Sequence, residues 1–165
     1  MTISNNGYGY NKVIDGVGKD ARIVENADGG KQSDSPMAMH LLDPEWLREA
    51  YPLEGAGYGV FRNITDFMET LGKEYIQFAM DIIEPSREQQ IIRIARVLKE
   101  GASKYQANNW RLIPEEEHLN HAMIHLLAAE MGDTQDNHLD HALCRLMMVY
   151  ATERSYDFDY NSYLG

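Results

Sequence analysis

Histidine and aspartate side chains gather in one stretch near the end of this 165-residue chain. Five of its six histidines lie between residues 118 and 141, and three aspartates lie among them. Imidazole and carboxylate groups bind divalent metals and transfer protons near neutral pH. The stretch therefore indicates metal or acid–base chemistry. Its members are His118, His121, His125, Asp133, Asp136, His138, Asp140 and His141.

The histidine spacings are helical. His121 and His125 stand four residues apart, a spacing with which one helix offers two histidines to a metal. His138 and His141 stand three apart on the next predicted helix, and therefore also share a face. The alternative is that each histidine is an ordinary hydrogen-bonded residue.

Two aspartates, Asp133 and Asp136, occupy the predicted turn between these helices. If the helices form an antiparallel hairpin, the turn lies beside His125 and His138, and a metal there could collect two to four ligands. Carboxylates suit Mg²⁺ or Mn²⁺, whereas a histidine-rich shell favours transition metals. The two aspartates could also be plain turn residues.

A second group of candidate residues follows the end of a predicted helix near residue 101. Tyrosine and tryptophan can stack on a base, asparagine can read its edge, and lysine or arginine can hold phosphate. The alternative is a helix-terminating loop with the tryptophan in the core. The candidates for nucleotide binding are Lys104, Tyr105, Asn109, Trp110 and Arg111.

Residues 1–35 are rich in Gly, Asn, Asp and Ser without a sustained hydrophobic period, which predicts a loosely ordered, extended or flexible segment. Within it, Lys31 follows two glycines. Glycine lets backbone amides approach an anion and lysine supplies charge, so Lys31 is a candidate phosphate contact. The alternative is that this stretch is a flexible N-terminal segment without a binding role.

Composition excludes several classes of function. The formal net charge of −11 argues against a duplex nucleic-acid surface. One cysteine, Cys144, excludes an internal disulfide framework, and we interpret it as a buried thiol in a reducing compartment. Neither a membrane span nor a signal peptide is recognisable, so a cytoplasmic location is expected.

The remaining pattern predicts an all-α fold, a bundle of about four to five helices. Apolar residues recur at steps of three and four from Ile64 to Ile82, which predicts one helix of about six turns. Other helices are expected to begin after Asp43, after Ser86, at Pro114 and at His138. We predict a single all-α domain over residues 36–154, an inserted helix at about 61–84, and a tail over 155–165.

Several motifs together resemble the phage and bacterial dATP/dGTP diphosphohydrolase-type domain, which has been compared with the all-α MazG-like nucleotide pyrophosphohydrolases. The motifs cover residues 27–44 and 92–153: GGKQSDSP, ARVLKEGASKY, NNWRLIP, HLNHAMIHLLAAEMGD and HLDHALCRL. The sequence departs from the family at Ile124, where many relatives carry arginine, in an apparent insertion over residues 55–90, and in lacking the acid-rich metal box of MazG-like enzymes.

The resemblance implies cleavage of a purine deoxynucleoside triphosphate to the monophosphate and pyrophosphate with Mg²⁺ or Mn²⁺. It assigns nucleotide contacts to Lys31, Lys104, Tyr105, Asn109 and Trp110. A host-cell cytoplasm would be the location if the protein is viral. The residues that match the family's remaining motif elements are His125, Asp133, Asp136, His138 and His141, of which the last four are the predicted metal ligands.

Three hypotheses follow. The first is an enzyme with Asp133, Asp136 and the histidines around the metal and with His125 or His121 as general base. The second is a non-catalytic protein that sequesters a nucleotide-derived signal and counters host defence. The third is a helical assembly protein without a ligand. In the first two, the stripe from Ile64 to Ile82 predicts a homo-oligomer.

Overall fold

Six α-helices and a two-stranded hairpin make up the part of the protein that the computed structural model describes, residues 13–51 and 55–152. Short 3₁₀ helices lie at Gly18–Asp20, Met39–Leu41 and Asn109–Leu112. The predicted all-α class is confirmed. The elements in chain order are β1 (Ile23–Glu25), β2 (Lys31–Ser33), α1 (Pro44–Ala50), α2 (Ala56–Thr70), α3 (Lys73–Ile83), α4 (Arg87–Lys104), α5 (Glu115–Glu130) and α6 (His138–Thr152).

Side-chain caps mark the starts of two helices, α1 and α4. The Asp43 carboxylate accepts a hydrogen bond from the backbone N–H of Trp46 at 2.8 Å, with proline as the first residue of α1. Ser86 caps α4 in the same way by accepting from the backbone N–H of Gln89 at 3.2 Å. Both caps are as the sequence predicts.

Helix α5 lies at the centre of the fold. Every residue from 118 to 124 is buried, polar ones included, so this helix has no solvent-facing side over two turns. It packs along α6, and α6 also contacts α3 and α4. The histidines of α5 therefore belong to the interior and are not exposed helix positions.

The long helix predicted across residues 61–84 is wrong in one respect, because the chain breaks it into α2 and α3. Leu71 adopts a left-handed conformation with φ 59°, and Gly72 follows with extended backbone. The chain reverses there and the two helices pack against each other. The apolar period runs across the break because it records which side of each helix is buried, and it carries no information about helix continuity.

This reversal also buries most of the apolar stripe within one chain. Ile64, Phe67, Ile76 and Ala79 are all buried, whereas Phe78 remains half exposed. Little of the apolar stripe therefore remains exposed to form an interface between subunits, and assembly stays a prediction.

The hairpin of β1 and β2 differs from the loosely ordered segment expected up to residue 35. Its strands have three residues each, too short for a recognisable alternation of polar and apolar positions. Distant contacts hold it: the Asn26 amide donates to the carbonyl of Leu112 at 2.9 Å, and Asn109 bonds the backbone of Lys31. Residues 1–12 and the predicted tail over 155–165 lie outside the described residues.

Among the described residues, no helix combines the length and apolar character that crossing a bilayer requires.

Candidate metal site and cavity

The α5–α6 hairpin brings His125 and His138 together. Their Nδ1 atoms are 2.9 Å apart and their ring centroids 5.2 Å apart. Asp136, in the connecting turn, completes a group in which one ligand atom from each residue lies within 4.8 Å of the others. Two imidazole nitrogens and one carboxylate oxygen form a donor set suited to a divalent metal.

Asp133 lies behind His138 and does not belong to this group. Its Oδ2 atom is 2.9 Å from Nε2 of His138, and both side chains are almost fully buried. Although burial raises the pKa of Asp133, hydrogen bonds from the backbone N–H of Gln135 and from His138 outweigh it and hold the pKa below its ordinary value. An ionised carboxylate only accepts hydrogen bonds, so Nε2 of His138 donates. In a neutral imidazole this leaves the Nδ1 lone pair directed at His125.

His141 flanks the group. Its ring stacks on that of His125 at 5.2 Å and 20°, and its Nε2 atom is 3.4 Å from Oδ1 of Asp136. Of the four predicted metal ligands, the structure gathers Asp136 and His138 as donors, sets Asp133 behind them and His141 beside them. His125, predicted as a base, lies among the donors instead.

The histidines of α5 are held in the neutral form that metal binding requires. Burial lowers the pKa of His125 well below its usual value, and the neighbouring His141 and Arg145 add to the effect. Burial, then Arg145, likewise lowers the pKa of His121 to about 2.

A cavity of about 770 Å³ opens beside the metal group, a size that suits a nucleotide-sized ligand. Five lysine or arginine residues and three acidic residues line it, so the cavity is cationic in a chain whose net charge is −11. The cationic residues are Lys19, Lys31, Lys99, Lys104 and Arg145.

His121 presents an unused polar atom to this cavity. It lines the wall, only 5% of its surface is exposed, and its Nε2 atom has no hydrogen-bond partner among the described residues. Buried polar atoms normally have a partner, so this nitrogen is available to a bound ligand or water.

The predicted nucleotide-binding residues divide into two groups. Lys31, Lys104, Tyr105 and Trp110 line the cavity, with the Lys104 ammonium 5.8 Å from the Tyr105 ring. Trp110 also packs against the hydrophobic core, as the alternative reading expects, and its role in nucleotide binding stays a prediction.

Asn109 and Arg111 are engaged elsewhere. The Asn109 amide accepts from the backbone N–H of Lys31 at 3.0 Å and donates to its carbonyl at 2.7 Å, so it fastens the hairpin although it lines the cavity. The guanidinium of Arg111 lies over the Trp110 ring at 4.3 Å, and Arg111 is not part of the cavity wall.

Arg145 is the residue that sequence reasoning missed. It lines the cavity and donates to Nδ1 of His118 at 3.0 Å. A signal was present, because His138, His141 and Arg145 follow each other at steps of three and four on one helix face.

An all-α protein with a histidine–aspartate donor group beside a cationic cavity is the class that fold and site define. The family described as dATP/dGTP diphosphohydrolase, N-terminal, matches residues 74–160, more than half of the chain, and the protein belongs to that family. The match spans α3 to α6, and the hairpin with Lys31 lies outside it. Neither a curated protein nor a solved structure matches the chain.

Proposed function

We propose that the protein is a metal-dependent diphosphohydrolase that cleaves a purine deoxynucleoside triphosphate to the monophosphate and pyrophosphate. The observation that carries this proposal is the donor group of His125, Asp136 and His138, two of which, His125 and Asp136, line a cationic, nucleotide-sized cavity. Membership of the dATP/dGTP diphosphohydrolase family supports the choice of substrate.

The donor set fits a divalent cation held by His125, Asp136 and His138. Two nitrogens and one oxygen favour Mn²⁺ or another first-row metal over Mg²⁺, which prefers oxygen alone. A divalent metal held there would supply Lewis-acid chemistry, which polarises phosphoryl oxygens and makes water a better nucleophile. Nδ1 of His125 and Nδ1 of His138 lie within hydrogen-bond distance of each other, so a metal held by both atoms would take the place of that contact.

The chain's own residues orient the substrate. Tyr105 and Trp110 offer faces for the purine, and Lys31 and Lys104 attract the phosphates. The Nε2 atom of His121, which has no hydrogen-bond partner among the described residues, is placed to hydrogen-bond a water beside the phosphate chain. Because its pKa is lowered to about 2, His121 is a weak base, and we propose that its main role is to position water.

The proposal is tested by incubating the pure protein with the four dNTPs and Mn²⁺, and with Mg²⁺ in parallel, followed by chromatography of the products. We expect dATP or dGTP to give monophosphate and pyrophosphate. Asp136→Asn should abolish turnover because it removes the carboxylate of the donor group. Asp140→Asn is the matched control, since Asp140 pairs with Arg93 outside this group.

Two outcomes contradict the proposal, the first its activity and the second its site. Intact nucleotide that is released from the protein only on heating would favour the sequestering protein. Turnover that survives Asp136→Asn would separate the activity from this site.

We also propose that the protein assembles as a homo-oligomer through the exposed apolar residues Phe78 and Ile91, whose exposed fractions are 50% and 67%. Light scattering of Phe78→Asp should give a smaller mass than the wild type. Phe67→Asp is the contrasting variant and should unfold the chain, because Phe67 is 1% exposed. An unchanged mass in Phe78→Asp contradicts this interface.

A further inference from the structure

Arg145 occupies the opposite end of the cavity wall from the metal group. It lies seven residues after His138 on α6, and its partner on α5, His118, lies seven residues before His125. At a rise of 1.5 Å per residue, the Arg145 end is about 10 Å along the hairpin from the metal end. Between the two ends lies the unpartnered Nε2 atom of His121.

The guanidinium of Arg145 is held by neutral groups. Its Nη1 atom donates to Oε1 of Gln32 at 2.9 Å and to Nδ1 of His118 at 3.0 Å. His118 can accept there because its other nitrogen, Nε2, lies 2.9 Å from the carbonyl of Trp110 and donates to it. Glu117 is one step removed, since its carboxylate accepts from Nε2 of Gln32 at 3.1 Å.

No described carboxylate forms an ion pair with Arg145, and its Nε and Nη2 atoms have no hydrogen-bond partner in residues 13–51 or 55–152. Burial lowers the pKa of Arg145 to about 10, which still leaves it charged at neutral pH. The charge of the Glu117 carboxylate acts on Arg145 through space, but the two form no direct ion pair. A desolvated charge without a directly paired carboxylate is costly, and the side chain lines a cavity into which an anion fits.

We propose that Arg145 binds phosphate oxygens of the ligand through Nε and Nη2, so that a di- or triphosphate chain runs along the α5–α6 hairpin from Arg145 to the metal group. The free edge of a guanidinium forms two parallel hydrogen bonds with phosphate, which a lysine cannot reproduce. Gln32, fixed by Glu117, accepts from Nη1 and so holds the guanidinium while Nε and Nη2 stay available to a ligand. The nature of the ligand rests on the proposed function, whereas the phosphate subsite does not require hydrolysis.

The test is isothermal titration of the full-length protein with inorganic triphosphate in EDTA, which removes any metal contribution. The wild type should bind triphosphate, and more tightly than orthophosphate. Arg145→Gln should weaken triphosphate binding about ten- to a hundredfold, because two charge-assisted hydrogen bonds are lost. The triphosphate affinity of Arg145→Lys should lie between those of the wild type and Arg145→Gln, since lysine keeps the charge but cannot form the two parallel hydrogen bonds.

The matched control is Arg96→Gln, an exposed arginine on α4 that does not line the cavity, and its affinity for triphosphate should equal that of the wild type. Absence of triphosphate binding by the wild type overturns the proposal, as does equal affinity in Arg145→Gln. If the variants do not fold, the Arg145 Nε–H resonance of the wild type, assigned through bonds by NMR, should shift with triphosphate. A resonance that does not move overturns the proposal.

This test separates the subsite from the enzyme. Triphosphate binding through Arg145 in a protein that leaves every dNTP intact would support the subsite and contradict hydrolysis. If Arg145→Gln cleaves dATP at the wild-type rate and binds triphosphate with unchanged affinity, the result would support hydrolysis and contradict the subsite.

Discussion

Replacing Asp133 by asparagine tests whether this residue orients a metal ligand or binds the metal itself. In the structure its carboxylate accepts two hydrogen bonds, from the backbone N–H of Gln135 at 2.9 Å and from Nε2 of His138 at 2.9 Å. Asparagine has one acceptor oxygen, so Asp133→Asn must give up one of the two. The proton on His138 is then no longer fixed at Nε2, and Nδ1 is free as a ligand for only part of the time.

The expected magnitude follows from the position of Asp133 behind the donor group. Loss of a carboxylate that orients a metal-binding histidine lowers metal affinity about 10- to 100-fold. This range corresponds to about 1.4 to 2.7 kcal/mol. Asp136→Asn removes a donor of the group itself and should weaken binding further. Asp133→Asn should also destabilise the metal-free fold by about 1 to 3 kcal/mol, because a hydrogen bond to a buried carboxylate is lost.

The assay is titration of Mn²⁺ into the folded variants, with circular dichroism to confirm the fold. Asp140→Asn serves as control and should bind Mn²⁺ like the wild type, since Asp140 pairs with Arg93. The reasoning is refuted if Asp133→Asn binds Mn²⁺ as tightly as the wild type. It is refuted equally if Asp133→Asn and Asp136→Asn lose the same affinity, because Asp133 would then behave as a direct ligand.

Three further predictions concern stability and reactivity. The hydrogen bond from Arg87 lowers the pKa of Asp81 to about 2, so the ionised carboxylate stabilises the fold above about pH 4 and this contribution is lost as the pH falls toward 2. In urea unfolding, Asp81→Asn should therefore lower the free energy of unfolding by about 1 kcal/mol at pH 7 and by less at pH 3. An equal loss at both pH values contradicts this prediction. Burial raises the pKa of Cys144 to about 12, so a thiol reagent should not label the native protein at mildly alkaline pH but should label it in guanidinium chloride; rapid native labelling would refute this. Leu71→Gly should leave the free energy of unfolding unchanged or raise it by up to about 1 kcal/mol, because φ of Leu71 is 59° and glycine adopts this conformation without strain. Thr70→Gly, at a helical position, should lower it by about 1 kcal/mol. Equal losses for both variants in denaturant titrations would contradict the left-handed turn.

Features that depend on a few neighbouring residues were predictable. The caps at Asp43 and Ser86 act over three residues and are visible in any sequence. The spacing of His121 and His125 on one helix, and of His138 and His141 on the next, likewise follows from helix geometry. The antiparallel pairing of these two helices was also predictable, because only a short polar segment connects them.

Features that depend on contacts between distant residues were not predictable. The hairpin of β1 and β2 exists because Asn109 and the backbone of Lys31 bond across 78 positions of the chain. The reversal at Leu71 is favoured by the packing of α2 on α3, and leucine has no preference for φ above zero. Neither contact leaves a periodic trace in the sequence.

The sequence by itself determined the helical class, the clustering of histidine and aspartate on the α5–α6 hairpin, and the resemblance that the family match bears out. The tertiary structure alone decided the roles within that cluster. His125 joins Asp136 and His138, Asp133 stands behind them, and Arg145 meets Gln32 across 113 positions of the chain. The physical reason is that spacing along a helix fixes which residues share a face, whereas packing of one helix on another decides which of their atoms meet.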